Sequence, residues 1–192
     1  MREVWYACSS NPGKLAEFGL AAGEQVGILP LPGLEQLAVP KENGKTFEEN
    51  AVLKAVYYSQ FAREPVFADD SGLEVDALGG APGVLSARFA GTRATYPENN
   101  ALLLERLAGS TQRAARFVTV LALAQRGNLL RTSTGIVEGQ ILCEPRGENG
   151  FGYDPLFLYP PLARSFAELT GAEKLEVSAR GKALRALLRV NY

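Results

Sequence analysis

The sequence predicts an α/β fold in which a mixed β-sheet is flanked by helices. Short apolar runs alternate with helical patterns in the first half of the chain, two long segments rich in β-branched residues follow, and helical periodicity returns at the C-terminus. A chain of 192 residues can bury a substantial core. It shows no internal repeat and no linker, so we treat residues 1–192 as one domain, either undivided or built of two tightly packed lobes.

The first half of the chain alternates strands with helices. The clearest boundary is the start of a helix after Thr46, because Thr46 and Glu49 have the spacing of a capping box. Pro97 indicates the first turn of a later helix. In order, the predicted elements are a strand over residues 4–8, a helix over 14–22, a strand over 26–31, a helix over 46–62, a strand that ends at the aspartates after residue 68, and a helix over 97–107.

The second half begins with a predicted β-hairpin. Residues 116–123 and 130–142 are rich in β-branched side chains, and Arg126-Gly127-Asn128 supplies the bend between them. A loop over 144–154 then leads into a strand over 156–159. Helical patterns over 165–170 and 178–190 complete the predicted elements.

Composition limits the classes of function that the chain can have. A formal net charge of −1 and a pI near 5.7 give no reason to expect binding to nucleic acid polymers or to anionic membranes. The N-terminal apolar run is too short for a signal peptide or a membrane span. Cys8 and Cys143 each lie beside apolar residues, so we expect buried thiols and neither a disulfide nor a metal site. These observations predict a cytoplasmic protein.

The tetrad Asp69-Asp70-Ser71-Gly72 is the first candidate site. The chain has no histidine, so acid–base chemistry and metal binding at neutral pH fall mainly to carboxylates. Ser71-Gly72 predicts a turn, which would place both aspartates at the carboxyl end of a strand, where they would suit Mg²⁺. A strand that continued would instead point the two side chains to opposite faces. The alternative is that Asp69 caps a turn and Asp70 is solvated.

The second candidate site is the loop Ser9-Ser10-Asn11-Pro12-Gly13-Lys14, before the first predicted helix. Small polar residues and a glycine at a helix start allow backbone N–H groups to converge on an anion, and Lys14 adds a positive charge. The spacing is not that of a Walker A loop. The alternative is an ordinary capped turn, because serine and asparagine favour helix starts for local reasons.

Two further segments contain polar residues in unexpected places. On the helix after Thr46, Asn50 and Lys54 share the apolar face, so Lys54 either meets an anion such as phosphate or extends to solvent. Glu42, just upstream, either approaches the same crevice or lies on the surface. In Gly150-Phe151-Gly152-Tyr153-Asp154-Pro155, glycines flank an aromatic ring that suits a stacking platform, although a turn with a core phenylalanine is the alternative.

These segments together resemble the inosine triphosphate pyrophosphatase family, which hydrolyses non-canonical purine nucleoside triphosphates. No single motif is decisive, but the segments occur in the order of the family and cover almost the whole chain. The matching segments are residues 10–14, 46–51 with Lys54, 67–73, 79–88, 150–155 and 174–180.

The resemblance implies a fold, a reaction and a role for each candidate residue. It implies a long twisted mixed sheet in two lobes with a central nucleotide-binding cleft, and a cytoplasmic homodimer. Water would attack the α-phosphorus of ITP, dITP or XTP with Mg²⁺ present, releasing a nucleoside monophosphate and pyrophosphate. At the phosphate end, the resemblance assigns Mg²⁺ binding to Glu42 and Asp70, proton transfer to Asp70 with Asp69 beside it, and phosphate binding to Ser9, Ser10, Asn11, Pro12, Gly13, Lys14 and Lys54. At the base end, it assigns stacking to Phe151 and contacts with the base edge to Asp154, Lys174 and Arg180. Further substrate contacts fall to Ser71, Gly152 and Tyr153.

The chain departs from the family at Ala179, where the family usually has a histidine that helps to bind the purine 6-keto group. Loss of this hydrogen bond predicts weaker discrimination by about 1–3 kcal/mol, with hydrolysis retained. Two rival functions remain at this stage. One is a nucleotide phosphatase of different regiochemistry, and the other is a nucleotide-binding protein without activity.

Overall fold

The structure is a computed structural model that describes residues 3–189, and within this range it contains a seven-stranded mixed sheet flanked by five α-helices. The strand order is β2-β1-β3-β4-β5-β6-β7. Strand β1 pairs in parallel with β2 and β3, whereas β6 pairs antiparallel with β5 and β7. The predicted α/β class is therefore confirmed. The strands are β1 (Val4–Ala7), β2 (Gly27–Pro30), β3 (Val66–Val75), β4 (Ala114–Gln125), β5 (Asn128–Ile141), β6 (Phe157–Tyr159) and β7 (Arg164–Ser165), and the helices are α1 (Pro12–Ala22), α2 (Phe47–Tyr58), α3 (Tyr96–Arg106), α4 (Gly171–Val177) and α5 (Ala179–Arg189).

The chain divides into two compact units. Of the described residues, unit 1 contains 3–70, Thr119–Gly135 and 179–189. Unit 2 contains Ser71–Val118 and Ile136–Ser178. Strands β3, β4 and β5 each contribute residues to both units.

Each unit has its own aromatic core. In unit 1, helices α1 and α5 contact each other, and the rings of Phe18 and Phe67 meet edge to face with centroids 4.9 Å apart. In unit 2, the rings of Phe117, Phe157 and Phe166 cluster, with the closest centroids 4.6 Å apart. Burial of these large side chains contributes much of the favourable free energy of folding, which positions the polar residues described below.

Several local features agree with the sequence predictions. Helix α2 begins after Thr46 as predicted, and the Thr46 hydroxyl accepts a hydrogen bond from the Glu49 N–H at 3.1 Å. The predicted capping box is only half formed, because the Glu49 carboxylate accepts from the Lys45 N–H and not from the Thr46 N–H. Arg126 and Gly127 both have positive φ, which is typical of the tight turn that joins two antiparallel strands. Among the described residues, no helix is long and apolar enough to span a membrane.

Strand β3 contradicts the prediction of a turn at Ser71-Gly72. It runs without interruption from Val66 to Val75, so the aspartates lie within the strand and not at its carboxyl end. The extension is supported in unit 2, where the Leu73 N–H donates to Ser86 Oγ at 2.9 Å and Leu73 is fully buried. A tertiary contact thus outweighs the local turn preference of Ser-Gly.

Three other expectations are corrected in the second half of the chain. The predicted helix over 165–170 is wrong: Ser165 ends β7 by pairing with Leu158, and only a short 3₁₀ turn, Phe166–Glu168, follows. Helix α4 was not predicted, although Thr170 and Glu173 form a capping box at its start. Cys143 is exposed, because it lies in the loop beyond β5, whereas Cys8 is half-buried. The predicted end of the last helix, residue 190, falls outside the described residues.

Candidate active site

Asp69 is the buried centre of a charge cluster in unit 1. Lys14 Nζ from α1 lies 2.8 Å from its Oδ2 and 3.0 Å from its Oδ1, and Arg180 Nη2 from α5 lies 3.4 Å from its Oδ2. Burial raises the pKa of this carboxyl, but the charges of Lys14, Arg180 and Lys54 outweigh burial and hold its pKa below the ordinary value. Asp69 is therefore ionised and held firmly in place at neutral pH.

Asp70 meets a different set of partners, supplied by α2 and the loop before it. Lys54 Nζ lies 2.9 Å from Asp70 Oδ1 and 3.3 Å from Glu42 Oε1, and Asn50 Nδ2 lies 3.4 Å from Asp70 Oδ2. Burial, with added repulsion from Glu42 and Asp69, raises the pKa of Asp70 despite the attraction of Lys54. The inward position predicted for Asn50 and Lys54 is confirmed, and the anions that Lys54 meets are these carboxylates.

The donor set around Lys54 fits a magnesium ion that arrives with a phosphate. Asp70 and Glu42 each place a carboxylate oxygen beside the Lys54 ammonium nitrogen, at 2.9 and 3.3 Å, so two hard oxygen donors already surround one cation. Among residues 3–189, no group of three or more acidic, cysteine or histidine side chains is arranged to hold a metal by itself. Mg²⁺ commonly takes one or two carboxylates together with substrate phosphates, and these residues match that pattern.

The loop over residues 9–14 forms a tightly capped helix start. Asn11 Oδ1 accepts hydrogen bonds from the N–H groups of Gly13 and Lys14 at 2.9 and 3.2 Å, and Ser9 Oγ accepts from the Asn11 N–H at 3.2 Å. These N–H groups are therefore already paired within the loop. Ser10 is exposed, Pro12 takes the first helical position, and the Lys14 ammonium pairs with Asp69.

Unit 2 brings together three of the predicted base-binding residues. The Phe151 N–H donates to Asp154 Oδ2 at 2.8 Å, and Lys174 Nζ lies 2.6 Å from the same oxygen. Lys174 Nζ also lies 4.6 Å from the centre of the Phe151 ring, within cation–π range. Gly150 is required here, since a Cβ at that position would lie 2.1 Å from Asp154 Oδ2. The loop thus holds an aromatic ring beside a buried ion pair.

Other predicted residues occupy supporting positions. The Tyr153 hydroxyl is buried and donates to the Ser86 carbonyl at 2.9 Å, so Tyr153 anchors the loop, and burial raises its pKa. Gly152 adopts a positive φ of 65° in the same loop, and Ser71 is half-buried on β3 beside Asp70. Arg180 was predicted at the base edge, and it donates to Glu17 and to Asp69 in unit 1.

Glu17 is a member of the Asp69 cluster that sequence reasoning missed. It is buried on α1 and accepts a hydrogen bond from Arg180 Nη1, which fixes the guanidinium beside Asp69. The sequence carried a signal for this position, because Glu17 lies three residues after Lys14, on the same face of the predicted helix. In the structure its neighbour Phe18 is buried. A charged residue on the buried face of a helix indicates a paired charge.

The fold and these clusters define a class of protein: an α/β protein with a carboxylate–lysine cluster in one unit and, in the other, a loop that holds an aromatic ring beside a buried ion pair. The chain belongs to the Ham1 family, whose model matches residues 5–190. The family resemblance predicted from the motifs is thereby confirmed.

Similar proteins match over almost their entire lengths. A dITP/XTP pyrophosphatase of Acidobacterium capsulatum is 49% identical over 193 residues, covering 95% of each chain. A protein of the same name from Thermus thermophilus is 52% identical over 184 residues, covering 94% of this chain and 87% of its own. The solved Ham1 protein of Staphylococcus aureus is 36% identical with a TM-score of 0.86, covering 97% of this chain and 96% of its own. A HAM1 protein from Coxiella burnetii is 40% identical, also with a TM-score of 0.86, covering 98% and 97%.

Proposed function

We propose that this protein hydrolyses the non-canonical purine nucleoside triphosphates ITP, dITP and XTP, with Mg²⁺, to nucleoside monophosphate and pyrophosphate, and so removes them from the nucleotide pool. The enzyme class, a nucleoside triphosphate pyrophosphatase, follows from close relatives that bear the name dITP/XTP pyrophosphatase. The observation that supports the proposal best is the cluster of Asp70, Glu42 and Lys54, which pairs metal-binding oxygens with a phosphate-binding charge. As part of the same proposal, the enzyme is a cytoplasmic homodimer.

At the phosphate end, the chain supplies charge and position. Hydrolysis of a triphosphate demands neutralisation of oxygen charges and alignment of the attacking water more than covalent chemistry. Lys14 and Lys54 are both within 3 Å of an aspartate oxygen, so each is held in place before substrate arrives. Glu42 and Asp70 would hold Mg²⁺, which when bound screens phosphate charge and makes water a better nucleophile.

Asp70 is the proton acceptor in this proposal. Burial raises its pKa above the ordinary aspartate value, which makes the carboxylate a stronger base than an exposed aspartate. The carboxylate takes one proton from water as the water oxygen forms a bond to the α-phosphorus. The bond from the α-phosphorus to the bridging oxygen breaks, and that oxygen leaves with pyrophosphate.

At the base end, we assign stacking to Phe151 and edge contacts to Asp154 and Lys174. An ammonium group is a donor only, so Lys174 favours a keto oxygen, as in hypoxanthine or xanthine, over the amino group of adenine. Ala179 supplies no side-chain donor, in contrast to the usual histidine. The enzyme is therefore expected to hydrolyse ITP and XTP, and to discriminate against ATP less than it would with a histidine in place of Ala179.

Product analysis tests this function. The protein is incubated with ITP, dITP, XTP or ATP, with Mg²⁺ or with excess EDTA, and pyrophosphate and orthophosphate are measured separately. We expect pyrophosphate and monophosphate in equal amounts, and only with Mg²⁺. We also expect kcat/KM for ITP to exceed that for ATP by less than about several thousandfold, the ratio expected if a histidine at position 179 also contacted the base. Orthophosphate as the first product would indicate a phosphatase, and no turnover of any triphosphate would indicate a binding protein; either result overturns the proposal.

A further inference from the structure

Helix α3 presents two residues to the loop that carries Phe151, and the proposed function uses neither. The Tyr96 and Phe151 ring centroids are 6.3 Å apart with an angle of 36° between the ring planes. Asn100 Nδ2 donates to the Gly152 carbonyl at 3.1 Å. Residues four apart on a helix share one face, so Tyr96 and Asn100 meet neighbouring parts of the same loop. All four residues belong to unit 2.

We propose that Tyr96 is a further base-binding residue and that Asn100 is the positioning residue that holds the Phe151 loop beside it. This inference rests on the proposed function, in which Phe151 stacks on the nucleobase. A purine is bicyclic, so a base over Phe151 can reach a second aromatic ring centred 6.3 Å away. Tyr96 is suited to this task, because 46% of its surface is exposed although it lies beside another aromatic ring.

Asn100 provides a second, independent observation. Its Oδ1 is buried and, within the described chain, has no hydrogen-bond partner, although buried polar atoms in folded proteins are almost always paired. An apolar residue would avoid this cost, so the bond from Nδ2 to the Gly152 carbonyl accounts for the presence of an asparagine. That bond ties the Gly152–Tyr153 peptide, one residue beyond Phe151, to helix α3 and so restrains the loop that carries the Phe151 ring.

The chemistry of this contact predicts its effect on specificity. Every nucleobase has a π-face, so stacking on Tyr96 strengthens binding of hypoxanthine and adenine alike. Tyr96 therefore contributes to affinity without discrimination between bases, in contrast to Lys174. Its contribution is absent for a ligand that has phosphates and no base.

The test compares Tyr96→Ala and Tyr96→Phe with Phe61→Ala. Phe61 is a matched control in unit 1, since it is an exposed aromatic residue with an aromatic neighbour, Tyr57, at 5.4 Å. Values of kcat and KM are measured by pyrophosphate release from ITP and ATP, with inorganic triphosphate as a base-free inhibitor. Tyr96→Ala is expected to raise KM about fivefold or more for both nucleotides, with kcat within about twofold and the inhibition constant of triphosphate unchanged. Tyr96→Phe and Phe61→Ala are expected to resemble the wild type.

Two further measurements complete the test. Asn100→Ala is expected to raise KM in the same way, and the double variant with Tyr96→Ala should show less than the product of the two effects. Equal KM values in Tyr96→Ala and wild type, or equal losses in Tyr96→Ala and Phe61→Ala, would overturn the proposal. Calorimetric binding of inosine monophosphate tests Tyr96 even if the wild type releases no pyrophosphate. Weaker binding by Tyr96→Ala than by the wild type supports the proposal. Equal binding by the two proteins, or no detectable binding by the wild type, overturns it.

Discussion

Asp69 and Asp70 are adjacent in sequence and identical in chemistry, yet they lie in contrasting surroundings on opposite faces of β3. Asp69, with its side chain only 2% exposed, is held by Lys14 and Arg180, and its pKa is lowered. Asp70, with its side chain 12% exposed, shares Lys54 with Glu42, and its pKa is raised. We therefore propose separate roles for the two aspartates of this motif: Asp69 holds Lys14 and Arg180 in place, and Asp70 accepts the proton.

The contrast arises from the alternation of a β-strand. Successive side chains of a strand point to opposite faces, so Asp69 meets residues of α1 and α5, whereas Asp70 meets residues of α2. Burial raises the pKa of both carboxyls. Around Asp69 the charges of Lys14, Arg180 and Lys54 outweigh burial, whereas around Asp70 the attraction of Lys54, which Glu42 shares, does not. The balance between burial and nearby charge therefore sets the direction of each pKa shift.

The largest expected effect comes from Asp70→Asn, which removes the proposed base and a proposed metal ligand while keeping nearly the same shape. We expect kcat for pyrophosphate release to fall by about 10³-fold or more, with little change in the free energy of unfolding. Glu74→Gln is the matched control, because it also converts a carboxylate to an amide on β3, at a residue that pairs with Arg116. Comparable activity in the Asp70→Asn variant and the control would refute the assignment.

Asp69→Asn is expected to act mainly on stability. It leaves the buried Arg180 and the partly buried Lys14 without their shared carboxylate. The expected loss is about 3 kcal/mol in the free energy of unfolding, measured by urea denaturation at pH 7. A loss below about 0.5 kcal/mol, as for an ordinary surface substitution, would show that Asp69 does not organise these charges.

The pH dependence of stability sharpens the same contrast. The folded-state pKa of Asp69 lies below its unfolded value of about 4, so its contribution is fully present above that pH and is lost as the pH falls through the folded pKa. Urea denaturation of the wild type from pH 7 to pH 3 should therefore show a decline that is shallower in Asp69→Asn. Parallel declines in the two proteins would contradict this account.

The smallest expected effect is that of Glu17→Gln, which weakens the support behind Arg180 and leaves Asp69 in place. We expect a loss of about 1–2 kcal/mol in the free energy of unfolding, less than for Asp69→Asn, because Arg180 keeps its other carboxylate. Glu24→Gln, an exposed change just beyond α1, serves as the control. A loss equal to that of the control would mean that Glu17 has no part in the cluster.

The sequence predicted those parts of the molecule in which local chemistry and tertiary structure agree. The helix start at Thr46, the turn at Arg126-Gly127 and the inward Lys54 all follow from spacing and side-chain type. The continuation of β3 could not be predicted from local sequence, because tertiary contacts support it: β3 lies between β1 and β4, and the N–H of the buried Leu73 donates to Ser86, thirteen residues further along the chain. A local preference for a turn is weak compared with a buried hydrogen bond and a buried strand.

In the candidate site, too, some contacts could be predicted from the sequence and others could not. The proximity of Phe151, Asp154 and Lys174 was expected from the resemblance, and it is observed within one unit. The link from Arg180 to Glu17 was not expected, since these residues lie 163 positions apart and only the packing of α1 against α5 brings them together. Pairing between charges that are distant in sequence could therefore be identified only from the structure.

A carboxyl-detected NMR titration of the metal-free protein follows Asp69 and Asp70 separately in one molecule, and so determines whether their pKa values shift in opposite directions. Asp70→Asn and Asp69→Asn provide the assignments. Asp70 is expected to titrate above the ordinary aspartate value of about 4, and Asp69 is expected to stay ionised well below it. Equal pKa values for the two aspartates, or a higher value for Asp69, would contradict the division of tasks between the two faces of β3.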